Sequence, residues 1–185
     1  MGKEQIEGFV RHGKTQWNLE YRIQGSTPHI PLLESSKDET RALGRKLKQR
    51  GFVFSTVYTS EYLRTIETGE ILQEELGIAD LVKVAGFNER SAGDMEGRTF
   101  SEVRALGHED YGEPKTELRA RVAAAYSEIK AKENGANILI VSHSAVMKVL
   151  LPLAGFYLVS APHNTFFYIS KGELSKVQLS LNSLA

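Results

Sequence analysis

The sequence holds no cysteine, which removes disulfides and thiolate metal sites from consideration. It also lacks a surplus of either charge: 23 basic residues meet 23 acidic ones, for a formal net charge of zero. Nucleic acid and anionic membranes are therefore not expected as partners, although a local basic pocket stays open. No apolar run approaches the roughly 20 residues of a membrane span. The first residues, Met1-Gly2-Lys3-Glu4-Gln5-Ile6-Glu7, lack the apolar core of a signal peptide, and Ile6 stands where a myristoylation signal needs Ser or Thr. The cytoplasm is the default expectation. Repeats, linkers and low-complexity tracts are also missing. What remains is 185 residues, 41% apolar and 25% charged, the profile of one globular domain with a substantial core.

Strand and helix patterns alternate along the chain. An apolar run from Ile6 to Val10 ends in Arg11-His12-Gly13, and a short helix is expected from Thr15 to about Arg22. A loop follows to Glu34, with Gly25, Pro28 and Pro31. Ser36-Lys37-Asp38-Glu39 has the capping-box form and Gly51 is a stop, which predicts a helix over 37–50 with Ala42, Leu43 and Leu47 buried. Next come a strand from Phe52 to Tyr58, a helix from Glu61 to Leu76 closed by Gly77, and a short strand from Leu81 to Ala85. Residues 91–114 are irregular and glycine-rich, with a short helix expected where Thr99 and Glu102 form a capping box. Thr116 opens a long helix with Leu118, Val122, Ala125 and Ile129 on one face, ended by Asn134-Gly135. Ile138 to Val141 is continuously apolar, as a strand covered on both faces must be; it runs into Ser142-His143-Ser144 and a further helix. Segments 164–170 and 174–181 flank Lys171-Gly172 and suggest a hairpin or strand pair closing an edge. Alternation of this kind predicts a three-layer α/β/α sandwich whose sheet is mostly parallel with an antiparallel edge.

In such sheets ligands bind beyond the carboxyl ends of the strands. His12, Arg64, Glu89 and His143 each sit just past a predicted strand end, with Arg11 beside His12. Taken singly, each reads first as an ordinary surface or core side chain, and His12 is open to the roles of base, ligand or nucleophile. Four coincident placements point to a site. Phosphoryl transfer suits the group, because the transferring phosphoryl spreads charge over its oxygens and needs fixed cations. Arg11 and Arg64 would supply them and would favour a neutral, nucleophilic His12. Attack by imidazole gives a phosphohistidine and splits hydrolysis into two easier steps. His143, aided by backbone amides at the start of its helix, would donate to a phosphate oxygen. Glu89 would protonate the leaving alkoxide and then deprotonate water.

The chain resembles the histidine phosphatase superfamily in its phosphoglycerate-mutase-like branch. The resemblance is carried by Arg11-His12-Gly13-x-Thr15-x-x-Asn18, Arg22-x-Gln24-Gly25, Ser60-x-Tyr62-Leu63-Arg64-x-x-x-Thr68, Asn88-Glu89, Gly93-Asp94-Met95-Glu96-Gly97, Val141-Ser142-His143 and Asn164. It implies a phosphoglycerate-mutase-like fold over 1–185 with a short cap at about 91–115. It further implies His12 as the phosphorylated nucleophile, Arg11, Arg64 and His143 as phosphate ligands, and Glu89 as proton donor. Asn18, Gln24 and Gly25 would contribute to the substrate pocket, with no metal and no organic cofactor.

Several positions depart from the family pattern. Lys14 stands where an acid is frequent, His29 replaces an Asp, and Leu33 and Ser36 replace Thr and Gly at a helix start. Ser144 replaces a Gly after the second histidine, keeping its backbone amide for substrate while narrowing the approach. His29, His108 and His163 read as surface or loop residues, with His163 favoured for substrate contact because Asn164 follows it. Trp17 and Tyr21, four apart, read as helix packing; Phe100 and Tyr111 read as packing or as a lid over the pocket. The family's mutases carry a longer insertion between the acid and the second histidine than the roughly fifty residues present here. A mutase must enclose its phosphoenzyme away from water, so hydrolysis of a small phosphorylated metabolite is the expected activity. A phosphohistidine-protein phosphatase, a mutase and a non-catalytic phosphate binder remain as alternatives, and the oligomeric state is open.

Overall fold

A computed structural model describes residues 5–107, 111–156 and 161–170. Its centre is a five-stranded sheet of β1 (Ile6–Arg11), β2 (Thr56–Thr59), β3 (Asp80–Lys83), β4 (Ile138–Ser142) and β5 (Phe166–Ser170), in the order β3-β2-β4-β1-β5. The first four strands run parallel and β5 pairs antiparallel with β1, so the antiparallel edge is present. The partner strand expected over 174–181 lies outside the described residues.

Every residue of β4 is buried, because the sheet is covered on both faces. Ile138 and Ile140 point into a core shared with α5 (Lys115–Glu133) and α6 (Ser144–Leu153), through Val122, Ile129, Met147 and Leu150. Leu139 and Val141 point the other way, against α2 (Glu34–Gln49) and α3 (Leu63–Leu76), through Leu43, Leu47 and Leu72. The period-two alternation of strand side chains thus divides one apolar run between two cores. A third, small cluster of Ile23, Ala92 and Val103 lies under the irregular segment after residue 90, which also carries the capped helix α4 (Phe100–Ala105). Among the described residues no helix is long and apolar enough to cross a membrane.

Local signals succeeded where sequence alone decides them. Gly77 takes φ 70° and Asn134 φ 40° at the ends of α3 and α5, left-handed conformations that stop a helix. Two expectations are corrected. The first helix, α1, is only Gln16–Leu19, because Tyr21 turns to φ 55° and leaves it. The capping box at Ser36 does not form: α2 starts at Glu34 with Leu33 as N-cap and no side-chain cap. The chain before α2 is fixed instead by Leu33 N donating to the Lys14 carbonyl at 2.9 Å, and the Ser36 hydroxyl is used elsewhere. Strand boundaries also move, from Phe52–Tyr58 to Thr56–Thr59 and from Leu81–Ala85 to Asp80–Lys83.

Leu139 is fully buried between the sheet and α2 and α3. Leu139→Ala should lower unfolding stability by about 2–5 kcal/mol in urea titration. A loss well under 1 kcal/mol would contradict a β4 that is covered on both faces.

Candidate active site

The register of β1 on β4 sets Arg11 opposite Ser142, and His12 N donates to the Ser142 carbonyl at 3.0 Å. The next residue of each strand is therefore a histidine at the same sheet edge, and the rings of His12 and His143 lie 5.2 Å apart. Arg64 arrives from the second residue of α3, and Glu89 from the loop after β3. All of Arg11, His12, Arg64, Glu89, Asn18, Gln24, Gly25 and Ser144 line one cavity of about 510 Å³. His143 stands immediately behind it, fully buried.

His12 is 3% exposed and its Nδ1 lies 2.6 Å from the Gly13 carbonyl oxygen. A carbonyl only accepts, so Nδ1 carries the proton and Nε2 keeps its lone pair. Burial, then the charges of Arg64, His163 and Arg11, hold the His12 pKa well below the ordinary imidazole value, so the ring is neutral. The turn beneath it is tied down. Gly13 N donates to Thr68 Oγ1 at 3.0 Å, and Lys14 N to Ser36 Oγ at 2.6 Å. A Cβ on Gly13 would stand 2.6 Å from that hydroxyl, so the close approach requires glycine here.

Arg64 is 1% exposed, and burial pulls its pKa down to about 10, which still leaves it charged at neutral pH. Three of its nitrogens are held by the protein: Nη2 donates to the Gly25 carbonyl, Nη1 to the Thr27 carbonyl, and Nε to His143 Nδ1 at 3.2 Å. That last bond makes His143 Nδ1 an acceptor, so its ring proton sits on Nε2, facing Ser60 Oγ at 2.7 Å. Burial and Arg64 keep His143 neutral as well. Both of its ring nitrogens are thus used to hold protein groups.

The carbonyls that grip Arg64 belong to a loop pinned by Glu96. Its carboxylate accepts from Ser26 N, Ser26 Oγ, Thr27 Oγ1 and Ala92 N at 2.6–3.1 Å. Gly25 is left-handed at φ 48°, and a Cβ there would lie 2.4 Å from Glu96 Oε1. The Glu89 carboxylate accepts from Ala145 N, in the first turn of α6, at 3.2 Å to each oxygen. That amide therefore serves the carboxylate. Arg121, on α5, secures the Glu89 loop by donating to the carbonyls of Gly86, Asn88 and Glu89 while paired with Glu113.

The three buried side-chain atoms that lack a hydrogen-bond partner among the described residues are Arg11 Nε, Gln24 Oε1 and His163 Nε2. All three residues line this cavity. Buried polar atoms are ordinarily satisfied, and these three belong to residues around one cavity. Arg11 Nη1 is meanwhile fixed on the Ala161 carbonyl at 2.9 Å. Among the described residues no three His, Asp or Glu side chains are grouped to hold a metal ion.

Some cavity residues were not identified from sequence. His163 reads there as a loop residue, yet its ring lies 5.3 Å from that of His12. Its only signal was the following Asn164. Tyr21 reads as helix packing, but is 72% exposed at the cavity mouth, beside Phe100 at 57%. Phe100 and Tyr111, read from sequence as packing or as a lid, both line the cavity, as do Arg90 and Lys148, which the sequence did not single out; the Arg90 guanidinium lies over the Tyr111 ring. Asn18 lines the cavity while its Oδ1 caps α1 by accepting from Thr15 N. Lys14 and His29 are exposed and off the wall, and His108 lies outside the described residues.

Comparison with known proteins finds relatives that share this fold. A model described as the histidine phosphatase superfamily (branch 1) matches residues 8–180. The Bacillus subtilis protein named uncharacterized phosphatase PhoE is 33% identical over 147 residues, covering 77% of this chain and 74% of that protein. A 2,3-bisphosphoglycerate-dependent phosphoglycerate mutase of Bartonella tribocorum is 35% identical over 115 residues, 61% of this chain and 53% of that protein. The chain thus spans about half the length of that curated relative. Among solved structures, Bacillus stearothermophilus YhfR superposes with a TM-score of 0.77 at 25% identity, covering 95% of this chain and 96% of that one.

The neutral histidines have a consequence for stability. His12, His143 and His163 have folded pKa values below the ordinary 6.5. Below about pH 6.5 the unfolded chain binds protons that the folded chain refuses, so stability falls as pH drops through that value. The urea midpoint should be lower at pH 5 than at pH 7, and ring NMR signals of His12 and His143 should not titrate near 6.5. A midpoint near 6.5 for either ring would contradict the assignment.

Proposed function

The chain belongs to the histidine phosphatase superfamily, and on that premise we propose that it is a metal-independent phosphatase of small phosphomonoesters working through a phosphohistidine on His12. One observation carries the reading: a buried, neutral His12 whose Nδ1 is committed to the Gly13 carbonyl, with Nε2 left as nucleophile among Arg11, Arg64 and Glu89. Nε2 attacks phosphorus as the bond to the ester oxygen breaks, and Glu89 gives its proton to the departing alkoxide. The Glu89 carboxylate then takes a proton from water, whose oxygen attacks phosphorus and breaks the N–P bond. Phosphate leaves and the starting protonation states return. Arg11 and Arg64 hold the equatorial oxygens throughout, preorganised by the carbonyls of Ala161, Gly25 and Thr27.

Asn18, Gln24, Gly25 and Ser144 face the ester's alcohol, with the segment at about 91–115 as cap and Tyr21, Phe100 and Tyr111 toward the mouth. The mutase among the relatives gives weight to phosphate exchange as a second reading. Hydrolysis is favoured because only about fifty residues separate Glu89 from His143, and α5 takes 19 of them. What is left is a thin cover for a phosphoenzyme that a mutase must shield.

Phosphate release from a panel of phosphomonoesters in EDTA should persist in the wild type and vanish in His12→Ala. Isomerisation of phosphoglycerate without phosphate release would replace this reading by the mutase. Glu89→Gln should slow alkyl esters by on the order of 10²–10⁴-fold. An aryl ester whose leaving group departs unprotonated should be slowed far less. Equal losses on both esters would remove Glu89 from the acid role.

A further inference from the structure

Beyond its charged residues the wall of the catalytic cavity turns apolar, through Ile23, Ala92 and the aromatic residues Tyr21, Phe100 and Tyr111. Ile23 and Ala92 are buried in the small third core, with Tyr111 packed against it. Tyr21 and Phe100 differ from them: 72% and 57% of their surface is open to water. Exposed apolar side chains gathered in a concavity are the usual mark of a ligand-binding groove. At about 510 Å³ the cavity also falls in the range, roughly 300–1,000 Å³, of pockets that take drug-sized ligands. A phosphoryl group fills only a small part of it.

Tyr21 occupies a position at which local geometry favours glycine. It follows the Glu20 C-cap of α1 at φ 55°, the left-handed turn that ends a helix, where a bulky side chain is strained. Arg22 N donates back to the Trp17 carbonyl at 2.8 Å, as such a stop requires. Glycine would make the same stop without strain, and the exposed ring adds little to the core. The strain therefore points to a use outside the fold. Phe100, the first residue of α4, is held to the same place: its N–H donates to the Tyr21 carbonyl at 3.0 Å. Ile23 N donates to the Arg98 carbonyl at 2.9 Å and Gly97 N to the Ile23 carbonyl at 2.8 Å, which continues the pairing as a short ribbon. The two rings thus stand on one braced piece of backbone, placed before any ligand arrives.

We propose that Tyr21 and Phe100 form an aromatic subsite for a planar ring carried by the alcohol half of the substrate, so that the phosphomonoesters hydrolysed at His12 are those of ring-bearing alcohols. The proposal rests on the reading of Arg11, His12 and Arg64 as the phosphate end of the cavity. Aromatic side chains favour a flat π-system, in offset or edge-on packing, over a puckered ring of the same bulk. Sequence alone reads Tyr21 as helix packing; its exposure at the cavity is what frees the ring for a ligand. A three-carbon ester such as phosphoglycerate has nothing to place there.

The test measures binding of phenylpropyl-, cyclohexylpropyl- and propylphosphonate by calorimetry, with kcat/KM for the matching esters, phenylethyl, cyclohexylethyl and ethyl phosphate. All three esters lose a primary alkoxide, which keeps the leaving-group chemistry alike. The wild type should bind the phenyl ligand on the order of 10-fold more tightly than propylphosphonate. It should bind the phenyl ligand about 2- to 10-fold more tightly than the cyclohexyl ligand, with kcat/KM in the same order. Tyr21→Asn combined with Phe100→Leu should remove most of the phenyl-to-propyl ratio, and Tyr21→Phe should keep it; Asn is chosen because it tolerates the left-handed turn. If the double variant does not fold, each single change should lower the ratio part of the way. Equal wild-type binding of the phenyl and propyl ligands would overturn the proposal. So would a cyclohexyl ligand that binds as well as the phenyl one, or a ratio that survives both single changes. Phosphonates hold a C–P bond and need no turnover: a wild type that prefers the phenyl ligand yet hydrolyses no ester defeats the phosphatase reading and leaves the ring subsite supported. A wild type that binds no phosphonate overturns both.

Discussion

The parallel pairing of β1 with β4 is the constraint on which the site depends. It matches Arg11 to Ser142 and ties His12 to the Ser142 carbonyl, so two residues more than 130 positions apart leave the sheet side by side. A slip of one residue would turn each strand's side chains to the opposite face. The apolar split of β4 between two cores therefore guards the site as well as the fold.

Around that pair, the protein accepts a cost to keep positive charge in place. A buried guanidinium loses hydration worth several kcal/mol in order of magnitude unless it is paired or hydrogen-bonded. Arg64 is compensated by two carbonyls and a neutral imidazole, none of which neutralises it. A carboxylate partner would satisfy the same N–H groups but would compete with a phosphate for the charge. Among the described residues the one carboxylate on the cavity wall, Glu89, is turned toward the amide of Ala145. Glu96 and Arg121 act one step further out: the first fixes the loop whose carbonyls hold Arg64, the second fixes the loop that carries Glu89. The result is a preorganised field that needs little rearrangement when charge arrives.

Much of this was legible in the sequence because local chemistry determines it. Runs such as Ile138–Val141 announce a central strand, and residues placed just past strand ends share an edge in any sheet of this class. Arg11, His12, Arg64 and Glu89 reach the cavity as that argument expects, and Asn18, Gln24, Gly25 and Ser144 line it as the family resemblance implies. What was not legible depends on partners distant in sequence. Ser36 looks like a helix cap, but its hydroxyl serves Lys14 and Asn164, a contact made only when α2, the first turn and the start of β5 are brought together. Tyr21 has helical spacing from Trp17, yet its backbone pairs with Phe100 and leaves the helix. His163 follows no motif of its own; its position comes from the left-handed Asn164 beside it. Which groups occupy the two ring nitrogens of His143 is likewise a matter of tertiary hydrogen bonds.

The central claim is that His12 carries the phosphoryl group. Rapid quench of the protein with a phosphate-labelled ester, followed by peptide mapping, tests it most directly. The account predicts a label of at most one per chain, labile in acid and stable in base as a phosphohistidine is, mapping to His12 and missing from His12→Ala. Turnover without any trapped label, or a label on another side chain, would contradict it.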